Sequence, residues 1–170
     1  MTAPSASSTL SGAFDDLPDE FAATRRMLER FPAEHAGWRP HPRSTALAAL
    51  ATHLAWLPAF VELVLGAPDV DASTVSVPAE PATTRDALLA LHDAQVASAV
   101  RALATADAAH LDASWTLRHG PHVLRTGRRG RVLRELVVSH AAHHRGQLTV
   151  YYRLLGVPVP SVYGPSADER

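Results

Sequence analysis

Residues 137–156 read VVSHAAHHRGQLTVYYRLLG, and this stretch decides the fold. Starting a little upstream, Leu133, Leu136, Val137, His140, His144, Gln147, Leu148 and Tyr151 recur at spacings of three and four, as residues on one face of a helix must. Gly156 and the prolines at 158 and 160 stop the pattern. The helix is therefore expected from about Arg128 to Leu155. The face is unusual because two histidines, four residues apart, continue a row of aliphatic side chains.

Three more helical segments precede it. Phe14, Leu17, Phe21, Thr24, Met27, Leu28 and Phe31 form one apolar row that Pro32 ends. A second helix is expected from Ser44, as N-cap, to Leu65, with Gly66 as its stop and a kink at Pro58. Leu47, Leu50, Leu54, Leu57, Val61 and Val64 are its buried stripe. The loop before it, residues 37–43, carries Trp38, which is expected to pack on one end of the core. A third helix runs from Thr83, capped with Asp86, to about Leu103. The proline-containing stretch from Ala67 to Pro81 reads as a long crossover. Thr105 to Gly127 lacks helical pattern, and its two short runs around His119-Gly120-Pro121 suggest a hairpin. The fold class that follows is all-α: a four-helix bundle with a long crossover and a short hairpin before helix four. Residues 1–12 are expected to be a flexible tail, 13–165 the domain and 166–170 a C-terminal tail.

Composition narrows the chemistry. The chain has 170 residues, 46% of them apolar and 19% charged, and a formal net charge of -1. That is enough to bury one core, and gives no global attraction to nucleic acid or anionic membrane. There is no cysteine, so disulfides, thiolate nucleophiles and thiolate ligands are excluded. Residues 45–67 are apolar enough to raise the membrane question, but His53, Pro58 and Glu62 argue for a buried helix. No secretory signal is recognised at the N-terminus, and a cytoplasmic location is expected.

Ten histidines are the informative excess. His140 and His144 stack on one helix face, so both imidazoles can reach one ion. A buried histidine must satisfy both ring nitrogens, and two adjacent ones do not easily satisfy each other. His53 lies between Leu50 and Leu57 and is expected on the inward face of helix two. Together the three would hold a divalent metal in the core and leave a coordination position open. His143 is the rival within helix four. Its phase puts it at the edge of the stripe, beside the ligands or at an interface. His35, His41, His92, His110, His119 and His122 are read as solvated. Glu-x-x-His pairs, HExxH, G-x-S-x-G and phosphate-binding glycine loops are all absent.

Arg118, Arg125, Arg128, Arg129, Arg131 and Arg134 occupy a stretch with no acidic residue. One reading is an anion site for a small acidic molecule. The preferred reading is a surface turn whose arginines pair with carboxylates from elsewhere. No recognition-helix motif accompanies them, and nucleic acid is not expected as a partner.

The C-terminal run 137–169, VVSHAAHHRGQLTVYYRLLGVPVPSVYGPSADE, resembles the signature end of the DinB/YfiT-like superfamily. The segment 38–57, WRPHPRSTALAALATHLAWL, resembles that family's second-helix region, where a tryptophan-proline loop leads to a helix with one histidine. The resemblance implies an up-down-down-up bundle, often dimeric. It implies His53, His140 and His144 as ligands of zinc, nickel, manganese or iron, and so favours His144 over His143. Arg145, Gly146 and Gln147 match the motif without an assigned role; Arg145 and Gln147, like His143, are candidates to support the ligands or the substrate. For activity it implies a small-molecule substrate and a metal-dependent S-transferase using a low-molecular-weight thiol. The alternative is a non-catalytic stress-response protein whose metal stabilises the bundle.

Overall fold

The computed structural model describes residues 14–169; the expected N-terminal tail lies outside them. The elements run α1 (Leu17–Glu29), α2 (Leu47–Trp56), α3 (Ala59–Gly66), β1 (Asp69–Asp71), α4 (Arg85–Ala104), α5 (Ala108–Asp112), β2 (Ser114–His119), β3 (His122–Arg128), α6 (Arg129–Leu133), a π-helical stretch Arg134–Ser139, and α7 (His140–Leu154). The fold is mostly helical with a small sheet.

The long helix expected from residue 44 to 65 is broken at Pro58, and its two halves are bent by 43°. Pro58 has no N–H to continue the ladder. The start also differs: Ala46, not Ser44, is the N-cap, and no side chain caps it. In α4 the cap moves one residue, from the expected Thr83 to Thr84, whose hydroxyl accepts from the Ala87 amide at 3.2 Å. Trp38 packs edge-on against Tyr151, with ring centroids 5.6 Å apart.

The all-α expectation is corrected by a three-stranded sheet in the order β1-β2-β3. The β2–β3 hairpin follows the expected pattern, turning at Gly120, whose φ of 54° suits glycine. Strand β1 is new. It pairs parallel to β2 from within the crossover, too short for any periodicity to reveal. Side chains hold it there: Arg118 of β2 donates to Asp69 at 3.2 Å and to Asp71 at 2.5 Å, and the Gly120 amide donates to Asp71.

The core has two storeys. One gathers Met27, Leu28, Leu50, Leu54, Leu88, Leu148 and Tyr152; the other gathers Leu17, Phe21, Val61, Val64, Trp115, Leu133 and Val137. The boundary falls at Pro58 on one side and at the π-helical stretch on the other, so each break separates residues that serve different storeys. Among the described residues no single helix is long and apolar enough to cross a membrane. Helix α2 is instead buried almost all round.

The arginine run is accounted for by protein partners. Arg118 pairs with Asp69 and Asp71, Arg125 and Arg131 with Glu135, Arg128 with Asp112 and Arg134 with Asp16. Arg129 is buried. Its guanidinium donates to the carbonyls of Val64 at 2.9 Å and Ala67 at 3.1 Å, at the C-terminus of α3. Those carbonyls lack helical partners, and the negative end of the helix dipole favours the cation. His110, expected to be solvated, joins the same end through Leu65 O at 2.9 Å. His92 is likewise corrected: it is buried and shares a hydrogen bond with Phe21 O at 3.1 Å.

Replacing Arg129 with Met leaves these carbonyls without their donor. Urea denaturation is expected to show a loss of about 2 kcal/mol; unchanged stability would show that the cap contributes nothing.

Candidate metal centre

Helix α7 carries two neighbouring stripes. Ala141, Arg145, Leu148 and Tyr152 point into the core, while His140, His144 and Gln147 lie one position round the helix. The Arg145 guanidinium pairs with Glu20 of α1 and donates to Thr24 Oγ1 at 2.8 Å and to Glu20 O at 3.1 Å. It also bonds to the Tyr163 hydroxyl. Arg145, expected beside the ligands or substrate, thus reaches towards α1. The α7–α1 contact it makes fixes which way α7 is turned, and with it the direction of the histidines.

The structure brings His53, His140 and His144 together. One ring nitrogen from each lies within 4.8 Å of the others. His53 Nε2 and His140 Nε2 are 3.3 Å apart. Ring centroids are separated by 5.0 Å for His53 and His140, 4.8 Å for His53 and His144, and 4.6 Å for His140 and His144. The location departs from expectation in one respect. His53 is exposed, and the other two are half-buried. The cluster therefore sits at the edge of the helical core, open to solvent on the His53 side.

Second contacts orient the rings. His144 Nδ1 is 2.7 Å from Gln147 Oε1, a carbonyl oxygen that accepts only. The proton thus sits on Nδ1, and the lone pair of Nε2 is turned away from Gln147. That Nε2 is buried and has no hydrogen-bond partner. His140 Nδ1 is also buried without a well-formed bond, although the Leu136 carbonyl close by favours its protonated form. His143 is exposed, with its ring centroid 5.0 Å from that of His144. It touches the cluster without joining it. Among the described residues no further His, Asp or Glu completes the group, and the histidines of the hairpin do not close it.

Electrostatics keep the rings neutral. Loss of hydration, followed by the like charges of His144, His53 and His143, pulls His140 down to about 4. Lost hydration and then His144 lower His53; the residue is exposed, but its ring is crowded by the other two. Lost hydration also lowers His144, opposed by the bond to Gln147. A divalent ion requires neutral imidazoles with a lone pair to give; His144 Nε2 has one unused, and the His53 Nε2–His140 Nε2 hydrogen bond is a contact that an ion would replace, so the donor set fits one.

An apolar groove of about 270 Å³ adjoins the cluster, with His53 in its wall. The periodicity reading missed this groove because half of it comes from the crossover, where Val77 and Pro81 face α2 across it. The bond from the Ala82 amide to Thr52 Oγ1, 2.8 Å, pins that crossover to α2.

Comparison with known proteins agrees with this fold. A model described as DinB family matches residues 18–170. A crystal structure of a DinB-like protein from Bacillus cereus ATCC 10987 superposes with a TM-score of 0.72 at 23% identity, covering 91% of this chain and 98% of that one. A DinB-like protein from Bacillus subtilis, YjoA, gives 0.66 at 20% identity, covering 94% and 99%. An uncharacterized protein of Bacillus subtilis strain 168, YrdA, is 48% identical over 33 residues, 19% of this chain and 20% of that protein's length.

In metal-free protein, an NMR titration of the imidazole protons is expected to place His140 near pH 4. Replacing His144 with Gln removes a like charge and is expected to move that midpoint up. Because the folded-state pKa lies below the unfolded value of about 6.5, protons favour the unfolded chain. The stability of the neutral cluster is complete above about pH 6.5 and is lost as the pH falls towards 4. A His140 midpoint near 6.5 would contradict this account.

Proposed function

The chain belongs to the DinB family, and from that premise we propose that it is a divalent-metal protein with His53, His140 and His144 as ligands. The observation that carries the reading is a cluster of three neutral imidazoles in which His144 Nε2 is buried, oriented by Gln147 and unpartnered. Three imidazole donors suit zinc, nickel and iron, whereas manganese favours oxygen ligands.

We further propose that the protein is a metal-dependent enzyme of the thiol S-transferase kind, acting on a small molecule with a low-molecular-weight thiol. Bound there, the ion would act as a Lewis acid that makes a thiol nucleophilic near neutral pH. The chain's own residues hold the donor atoms in place: Gln147 fixes the tautomer of His144, and Arg145 fixes the rotation of α7. The exposure of His53 supports catalysis, since it leaves a path from solvent to the cluster. The proposal includes the up-down-down-up four-helix arrangement, supported by the likeness to the two solved structures. It also includes one domain over residues 13–165, and a cytoplasmic homodimer, whose pairing is supported by Val150 and Leu154, exposed side by side on α7.

A second reading is a non-catalytic stress-response protein. It is favoured by the placement of the ligands: they tie α2 to α7, so the ion would act as a cross-link between distant segments.

Elemental analysis of untagged protein is expected to find about one divalent ion per chain, and His144→Ala to abolish it. Gln147→Ala should weaken metal affinity by about 10–100-fold while leaving the three ligands in place. Turnover of a thiol with an electrophilic acceptor, lost in His144→Ala, supports the enzyme. A chelator-sensitive melting temperature without turnover supports the cross-link.

A further inference from the structure

The groove beside His53 has a composition that the ligand cluster does not explain. Its lining includes Ala49, Thr52, His53 and Trp56 from α2, and Val77 and Pro81 from the crossover. No charged side chain is among the residues that line it. The Thr52 hydroxyl already accepts the Ala82 amide. The other polar groups of the wall are uncharged, the Trp56 indole N–H and the His53 imidazole, and His53 is also a member of the cluster. Val77 stands in the opposite wall with 57% of its surface exposed. Prolines on that side and the Ala82–Thr52 bond hold the wall in place without help from a ligand.

We propose that this groove binds the apolar body, aliphatic or aromatic, of a small uncharged substrate, whose reactive end is thereby presented to the three imidazoles. The inference rests on the reading of the cluster as the reaction centre. Three features select this occupant. A wall without charge has nothing to offset the dehydration of an ionic ligand. At about 270 Å³ the space falls just below the usual range of small-molecule sites, about 300–1,000 Å³, so it suits part of a small molecule. Finally, one imidazole belongs to both groove and cluster, so a molecule seated in the first extends towards the second. None of the arginines of the 118–134 run lines the groove, and each is engaged with a protein partner.

The test uses full-length protein and the uncharged apolar fluorophore N-phenyl-1-naphthylamine. Titration is expected to give saturable fluorescence enhancement in both chelator-treated and metal-loaded protein. Val77→Asp, at an exposed position, should weaken binding by on the order of tenfold, because it puts a charge into an apolar wall. Val123→Asp, on the exposed hairpin, should bind the probe as the parent does. Metal content measured on the same samples separates this proposal from the one it rests on. Probe binding with the predicted Val77 dependence supports the groove even if no metal is found. Metal without saturable probe binding overturns it, as does equal weakening by Val77→Asp and Val123→Asp. Ala49→Phe, which fills the groove from the α2 side, gives an independent check: undiminished binding there would also overturn the assignment.

Discussion

The buried guanidinium of Arg145 is the constraint around which the site is arranged. A charge in that position must keep its partners, because removing them leaves an ion in a low-dielectric interior. Glu20, Thr24 and Tyr163 supply those partners from α1 and the C-terminal segment. One residue along a helix turns a side chain by about 100°. With Arg145 locked towards α1, His144 must point elsewhere, and His140 and Gln147 share its direction. The ion pair thus does for the orientation of α7 what the apolar residues around it do for its burial. The C-terminal segment is part of the same arrangement: Asp168 accepts from the Val159 amide, and Glu169 pairs with Arg30.

Much of this was legible in the residues. The HxxxH pair, the single histidine of α2, the Pro58 break and the hairpin all carry local signals that depend on backbone chemistry. The exposure of His53 was less legible. Its neighbours in α2, including Ala51, Thr52 and Ala55, are buried, so an aliphatic stripe through Leu50, Leu54 and Leu57 does not say which edge of the helix faces out. His92 was hidden for a related reason. Helix α4 is rich in alanine, and its buried positions, Leu88, His92 and Ala99, include only one large apolar residue. Strand β1 is three residues long and is specified by Arg118, some 47 positions away, so no local pattern announces it.

The arginine run shows how one composition supports two opposite readings. Seen alone, six cations without an acidic neighbour resemble a binding patch. In the fold they meet carboxylates from the N-cap of α1, from β1, α5 and the π-helical stretch, and Arg129 meets a helix end. The cations serve to fasten the hairpin and α6 to the helical core. This fastening matters to the site because α6 leads directly into the segment that carries it.

That segment has its own geometry. The buried positions Arg129, Leu133, Val137, Ala141 and Arg145 recur at every fourth residue. In an ideal α-helix a row of such positions drifts by about 40° at each step and soon winds off the face it started on. The stretch Arg134–Ser139 is π-helical, with more residues in each turn, and so it slows the drift. A dry seam can then continue from the storey around Trp115 to the storey around Tyr152. The wide turn acts as a phase correction: it lets a chain with a four-residue beat fasten its lower end to the sheet and still deliver His140 and His144 to the other side of the seam.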